Sequence, residues 1–307
     1  MEPLVECIPN FSEGRDPVVI RRVVAAAEGI EDCYVLDVHS DPDHHRSVLT
    51  MAGAAEAVLE AALRVAEAAV RWIDLRRHHG VHPRIGALDV VPFVPLGQTS
   101  MEVCVRLVER FGLIVGQSLE MPCFLYGEAA RDDARAELAW VRRGGLEFLR
   151  RAIRHDPDRA PDFGPAALHE TAGAVSVGAR GPLIAFNLLL EPPAGLDEAR
   201  EVARRIRALG GGLPAVKALG FFLPRRRRAQ VSLNLVDYRQ TSPAAAVTAA
   251  CREAEKIGVE VGAGELVGLI PAAAVPASPE VELRLPEFRP EQILEVRWEQ
   301  VSGRRLP

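Results

Sequence analysis

The sequence predicts an α+β protein in which a β-α-β-β-α-β order of elements occurs twice. Short apolar runs bounded by Gly, Pro, Asn and Asp alternate with longer amphipathic stretches between residues 4 and 126. The same alternation resumes at residue 183 and closes near residue 267. A local echo links the halves: Ile85-Gly86-Ala87-Leu88-Asp89 before Val94-Pro95 resembles Val261-Gly262-Ala263-Gly264-Glu265 before Ile270-Pro271.

Leu4–Pro9 reads as a strand ending in the polar turn Asn10–Gly14. Asp16 is placed to cap a helix whose first position is Pro17. Cys33–Val38 and Ser47–Met51 are strands separated by an Asp/His-rich loop. Residues 54–75 carry charges at Glu56, Glu60, Arg64, Glu67, Arg71 and Asp74, a single polar stripe opposite Ala, Val and Leu. That pattern predicts a helix packed on a sheet, not a membrane span. The strand Ala87–Val94, a helix over Met101–Leu119 and the strand Cys123–Tyr126 follow.

Residues 127–182 have weaker periodicity, with a helical pattern at Trp140–Ile153 and a Pro/Gly-rich loop over Pro157–Gly181. The second half repeats the order: strand Leu183–Leu190, helix Asp197–Leu209, strands Ala215–Phe222 and Ala229–Val236, helix Pro243–Ile257 and strand Val259–Val267. The order matches the ferredoxin-like unit. Its duplication predicts two subdomains, 1–179 and 180–307, with a cleft between similar halves. The proline-rich tail from Ala272 is expected to add one or two terminal strands.

A chain of 307 residues with 48% hydrophobic and 26% charged residues is an ordinary globular protein. Its net charge of −5 gives no footprint for nucleic acid. The five cysteines form no CxxC pair, which points to reduced, packed thiols and a cytoplasmic location. Residues 1–17 contain no apolar signal core.

Chemistry concentrates at Arg77–Asp89, where His78, His79 and His82 lie among Arg77 and Arg84. Six of the eight histidines fall between residues 39 and 82. A metal site formed by His78, His79 and His82, with carboxylates added by the loop Asp41-Pro42-Asp43-His44-His45, is chemically conceivable, but Gly80 and Pro83 interrupt a helical ligand face and Arg46, Arg77 and Arg84 would repel a cation. No metal is expected. Acid–base chemistry suits the loop better, because a neutral imidazole exchanges protons near neutral pH. His78 and His79 read as helix-end residues. His82, held before Pro83 and beside Arg84, reads as the reactive one, with Arg84 able to hold a carboxylate. Asn10, at a strand end, is a candidate contact or a plain turn residue.

The runs Leu4–Gly14, Arg77–Asp89, Leu125–Ala130, Pro161–Pro165, Gly178–Arg180, Leu183–Asn187, Ala229–Ser232 and Leu266–Leu269 occur in an order that resembles the glutamate formiminotransferase family, over roughly residues 2–275. The resemblance implies transfer of a formimino group between N-formiminoglutamate and tetrahydrofolate, the co-substrate, in histidine degradation. It implies that His82 is the catalytic acid–base. It implies that Gly164, Pro165, Ala166, Ala167, Leu168, His169, Glu170, Thr171, Ala172 and Gly173 line the folate site. It further implies exchanged terminal strands, a homodimer, and a separate cyclodeaminase as possible partner. Arg84 and Arg46 are the candidates, by chemistry, for the glutamate carboxylates.

The chain departs from the family pattern in places. His45 stands where Asn is common, Ala172 replaces a bulkier residue of some relatives, and Arg225–Arg228 lies outside the family motifs. Three alternatives stay open: a 5-formyltetrahydrofolate–glutamate formyltransferase, a His/Asp metallohydrolase, and a folate-binding protein without turnover.

Overall fold

A computed structural model describes residues 2–306 as two compact units that divide after Arg180. In the first unit, β1 (Leu4–Cys7) and β2 (Asn10–Phe11) are one strand interrupted at Ile8-Pro9. Pro9 has no N–H to give to a ladder, so the pairing breaks there. Asn10, expected in a turn, re-enters the sheet opposite Val48 and Val90. Helix α1 (Pro17–Ala25) starts as expected, with the Asp16 side chain accepting from Val18 N–H and Val19 N–H.

Strands β3 (Cys33–Asp41) and β4 (Arg46–Ala54) run nine residues each, longer than expected, and shrink the Asp/His-rich loop to the turn 42–45. Helix α2 (Ala55–Trp72) buries its Ala/Val/Leu stripe. It stops before residue 75 because Ile73 turns extended and the Asp74 side chain caps a separate 3-10 turn, Leu75–Arg77. After β5 (Leu88–Pro95) come α3 (Met101–Ser118) and β6 (Cys123–Gly127).

The stretch 140–153 is not one helix. The chain forms α4 (Asp133–Ala136), α5 (Leu138–Val141) and α6 (Gly145–Ala152), the last two separated by a break that ends at Gly144, the left-handed N-cap of α6 at φ +81°. Nor is 157–181 all loop. It contains β7 (Val175–Ala179), which lies between β5 and β6 and is parallel to both. Every residue of β7 is buried. One core joins α1, α2 and α3 to Phe11, Met51, Val91, Leu125 and Val177. A second joins Val90, Phe124 and Tyr126 to Val141, Leu149 and Ile153 on the opposite sheet face. A strand covered on both faces shows no alternation, which hid β7 in the sequence.

Cys7, Cys33, Cys104 and Cys123 are buried. Burial pushes the Cys33 and Cys104 thiols up to about 12, so they are packing groups rather than nucleophiles.

The second unit comprises β8 (Ile184–Leu190), α7 (Leu196–Ile206), β9 (Val216–Leu223), β10 (Arg228–Leu235), α8 (Pro243–Glu255) and β11 (Val261–Val267). Its antiparallel sheet has the order β11-β8-β10-β9. The first unit contains the equivalent antiparallel set, β5-β1-β4-β3. The sequence echo falls on β5 and β11, each of which pairs with the first strand of its own unit. Ile184, Phe186, Leu188 and Leu190 alternate inward against Ala199, Val202, Val247 and Ala250 of α7 and α8.

The tail does not form strands. Pro279 and Pro290 open helical turns, α9 (Pro279–Glu282) and the 3-10 turn Pro290–Gln292, before α10 (Leu294–Ser302) buries Trp298. Proline suits a first helical position because it lacks only an N–H that would be unpaired there. Among the described residues each sheet is built from strands of its own unit, in place of the exchanged strands the resemblance implied. No helix among them is long and apolar enough to cross a membrane.

Candidate active site

Strand alternation puts Phe11, Leu49 and Met51 into the helix-covered core and turns Asn10 and Arg46 to the other sheet face. There Arg46 Nε donates to Asn10 Oδ1 at 3.1 Å, and Asn10 Nδ2 donates to the Ile8 carbonyl at 2.8 Å. Arg46 Nη1 lies 2.5 Å from Asp89 Oδ2 on β5. Arg142, at the C-cap of α5, reaches the same oxygen at 2.7 Å. The other Asp89 oxygen accepts the Ile85 N–H at 2.7 Å and the Gly86 N–H at 3.3 Å.

Asp89 is 0% exposed. Burial alone would push its carboxyl up, but Arg142, Arg46 and the Ile85 N–H outweigh that and hold it below the usual value. This carboxylate closes the loop 82–89 and gathers two guanidiniums beside it.

His82 is half-buried at this cluster. Its Nδ1 lies 2.8 Å from the Pro83 carbonyl. A carbonyl only accepts, so Nδ1 carries the proton and Nε2 the lone pair. Arg142 Nη2 also donates to that carbonyl. Desolvation, then the charges of Arg46 and Arg142, hold the imidazole well below its ordinary value. The His44 ring stands edge-on at 5.7 Å. Tyr126 lies in the same field, its phenol pushed up to about 12 by burial against the opposing charge of Arg180.

The other histidines of the loop do something else. His78, expected at a helix end, is the C-cap of the 3-10 turn Leu75–Arg77; its ring is buried and donates from Nε2 to the His45 carbonyl at 2.7 Å. Burial pulls its ring down to about 4, so it is a neutral strut between the loop and the β3–β4 turn. His79 is exposed. The close approach of loop and turn needs Gly80, whose added Cβ would meet the His44 carbonyl oxygen at 2.3 Å.

His45 stacks on His78 with centroids 4.1 Å apart. Its Nε2 meets Glu13 Oε1 at 3.0 Å and its Nδ1 the His79 carbonyl at 3.1 Å. Burial opposes charge on Glu13, but the hydrogen bonds from His45 and from the Asp16 and Arg15 N–H groups hold it down to about 2. His45 has φ +52°, a region that Asn and His tolerate and β-branched residues do not. His45→Asn is therefore expected to change unfolding free energy by less than about 1 kcal/mol, and His45→Val to cost about 1–3 kcal/mol. Equal losses for both in urea unfolding would show that the ring contacts, not the backbone, decide the position.

Arg84 folds back, donating from Nη2 to the His78 carbonyl at 3.1 Å, with Glu147 3.9 Å from Nη1. The Nε of Arg84 and that of Arg142 are buried without a hydrogen-bond partner. Segment 164–173 begins where Gly164, at φ +83°, packs on Gly116 and the Met121 carbonyl. It ends against the His82 loop, with Ala87 N–H donating to Ala172 O and Ala174 N–H to Ile85 O. His169 Nδ1 accepts the Ala172 N–H at 3.1 Å and closes the last turn. Gly164, Pro165, Ala166 and Glu170 are exposed, Ala167, Leu168, His169 and Thr171 half-buried, and Ala172 and Gly173 buried. The Ala172 methyl belongs to the core rather than to a surface.

Thus Asn10, Arg46 and His82 converge, with the end of 164–173 behind them, while Arg84 turns toward His78. Sequence reading missed Asp89, Arg142, Glu13 and Tyr126. Asp89 had a signal: it is the one charge in the apolar run Leu88–Val91. Arg142 had none, being one arginine in an arginine-rich stretch. Among the described residues no group of three His, Cys, Asp or Glu side chains is arranged to hold a metal ion.

The arrangement combines an imidazole whose charged form is disfavoured with guanidinium cations beside it. Residues 4–180 match the family model described as formiminotransferase domain, N-terminal subdomain, and residues 185–281 that described as formiminotransferase domain. The chain is 40% identical over 302 residues to the glutamate formimidoyltransferase of Thermoplasma acidophilum, covering 98% of this chain and 99% of that one. It is also 40% identical to the glutamate formimidoyltransferase of Streptococcus pyogenes serotype M1, covering 94% and 96%. The formimidoyltransferase-cyclodeaminase of Sus scrofa is 41% identical over 281 residues, which make up 90% of this chain and 51% of that protein.

Proposed function

This chain belongs to the formiminotransferase domain family, and from that premise we propose that it transfers a formimino group between N-formimino-L-glutamate and tetrahydrofolate in histidine degradation, with His82 as general acid–base. The observation that carries the reading is the state of the His82 ring: Nδ1–H is committed to the Pro83 carbonyl, so the lone pair that can take a proton is on Nε2.

The N5 amine of tetrahydrofolate attacks the formimino carbon and forms a C–N bond. His82 Nε2 removes the proton from N5. The resulting imidazolium, made acidic by desolvation and by Arg46 and Arg142, gives the proton to the departing glutamate nitrogen. Breakage of that second C–N bond releases glutamate and 5-formiminotetrahydrofolate. A depressed basicity keeps the ring neutral before attack and makes it a strong acid afterwards.

Arg84 supports carboxylate binding, because its buried Nε lacks an acceptor, a state that costs about 1–3 kcal/mol and that an incoming carboxylate relieves. Arg46 serves less directly, its Nε and Nη1 being held by Asn10 and Asp89, so Asn10 acts by orienting it. Within the folate-binding stretch, Gly164–Thr171 present the accessible surface and Ala172 and Gly173 the backing. We also read the two units as copies of one ferredoxin-like motif, supported by their common strand order.

A transfer assay with N-formiminoglutamate and N-formylglutamate side by side tests the activity. Faster turnover of the formimino donor is expected. Turnover of the formyl donor alone would reassign the protein as a formyltransferase, and turnover of neither would leave a binding protein.

A further inference from the structure

We propose that Arg142 is a positioning residue for His82: its guanidinium anchors the Pro83 carbonyl that receives the His82 Nδ1–H and shares the Asp89 carboxylate with Arg46, so that Nε2 faces the reacting nitrogens unprotonated. The inference rests on the reading of His82 as the acid–base.

The geometry is specific. One carbonyl oxygen accepts from two donors, His82 Nδ1 and Arg142 Nη2, which come from positions 59 residues apart in the chain for the Arg142–Pro83 pair. The same Arg142 nitrogen lies 2.7 Å from Asp89 Oδ2. Its side chain is 14% exposed and that of Asp89 0%, so this is a built contact rather than a surface ion pair. A proline carbonyl in an exposed loop would otherwise be free to turn to water. Pinned, it selects one imidazole tautomer and one ring orientation, as a hydrogen bond to the second nitrogen does for catalytic histidines generally.

Arg142 also acts through its charge. The groups facing His82 are Arg46 from β4, Arg142 from α5 and His44 from the β3–β4 turn, with Asp89 of β5 as the shared counter-charge. Tyr126 of β6 faces Arg46 and Arg142 as a neutral phenol. Two guanidiniums share one carboxylate, which leaves net positive charge beside the ring and disfavours imidazolium. Removing one guanidinium must therefore raise the basicity of His82. Lysine keeps the charge but not the planar fork that spans carbonyl and carboxylate.

The test compares pH profiles of kcat and kcat/KM for wild type, Arg142→Gln, Arg142→Lys and His82→Ala, with nitrogen-15 NMR of labelled histidines to read the His82 tautomer. In Arg142→Gln the acid limb of kcat/KM is expected to move up by at least about half a pH unit, with kcat at neutral pH about tenfold lower and KM little changed. In Arg142→Lys the limb is expected to stay at its wild-type position while kcat falls. An unmoved limb in the Gln variant, or wild-type kcat in the Lys variant, overturns the proposal. If Arg142→Gln does not fold, the Lys variant decides.

An active His82→Ala enzyme would instead remove the reading of His82. The tautomer then separates the two failures: an Nδ1–H form that persists in Arg142→Gln overturns the positioning, and a mixed population upholds it.

Discussion

His82→Ala lowers kcat for formimino transfer by roughly 10²–10⁴-fold, the range over which a positioned acid–base acts. In the proposed mechanism the same ring both takes and returns the proton, so no second group replaces it. KM for both substrates is expected to stay nearly constant, because the role proposed for the imidazole is proton transfer. Stability is expected to be largely preserved, since the ring is half-buried and its Nδ1 bonds the carbonyl of the adjacent Pro83 rather than a distant element. Steady-state kinetics with circular dichroism on the same sample checks this. Activity within about threefold of wild type would refute the assignment.

Asp89→Ala destabilises the first unit by about 3–5 kcal/mol, the cost of leaving buried charge without its partner. Both Arg46 and Arg142 lose their counter-charge, and the Ile85 and Gly86 N–H groups lose their acceptor. Asp89→Asn keeps the size but places an amide against two guanidiniums and a pair of N–H groups, and falls in the same range. The pH dependence has a definite sign. Asp89 is held below its ordinary value in the folded state. Its contribution is complete above about pH 3.9 and is lost as pH falls through the lower folded value. Chemical denaturation at neutral pH should separate wild type from Asp89→Asn, and the gap should narrow on acidification. A gap that widened toward acid pH would contradict this role for the carboxylate.

Where one side of an element meets solvent, its pattern was readable. The second unit illustrates this: inward Ile184, Phe186, Leu188 and Leu190 alternate with outward residues, and helices cover a single face of the sheet. The first-unit sheet is covered on both faces beyond β5, and β7 consequently reads as undifferentiated apolar and small residues. The tail was misread because proline marks both edge strands and helix starts, and only packing around Trp298 distinguishes them.

For the site, residue type and local spacing offered His82 as a candidate, with Pro83 and Arg84 following it. They could not assign His78 and His45, whose rings are defined by a stack between two loops.

By itself, the sequence determined the family, through the order of its motifs, and the two successive β-α-β-β-α-β orders, through periodicity along the chain; it also offered His82 as the candidate acid–base. Tertiary structure alone decided the surroundings of that candidate: which nitrogen holds the proton, which cations face it, and which buried carboxylate gathers them. Those are properties of distance and dielectric. Arg46, Asp89 and Arg142 become neighbours only after β4, β5 and α5 have packed.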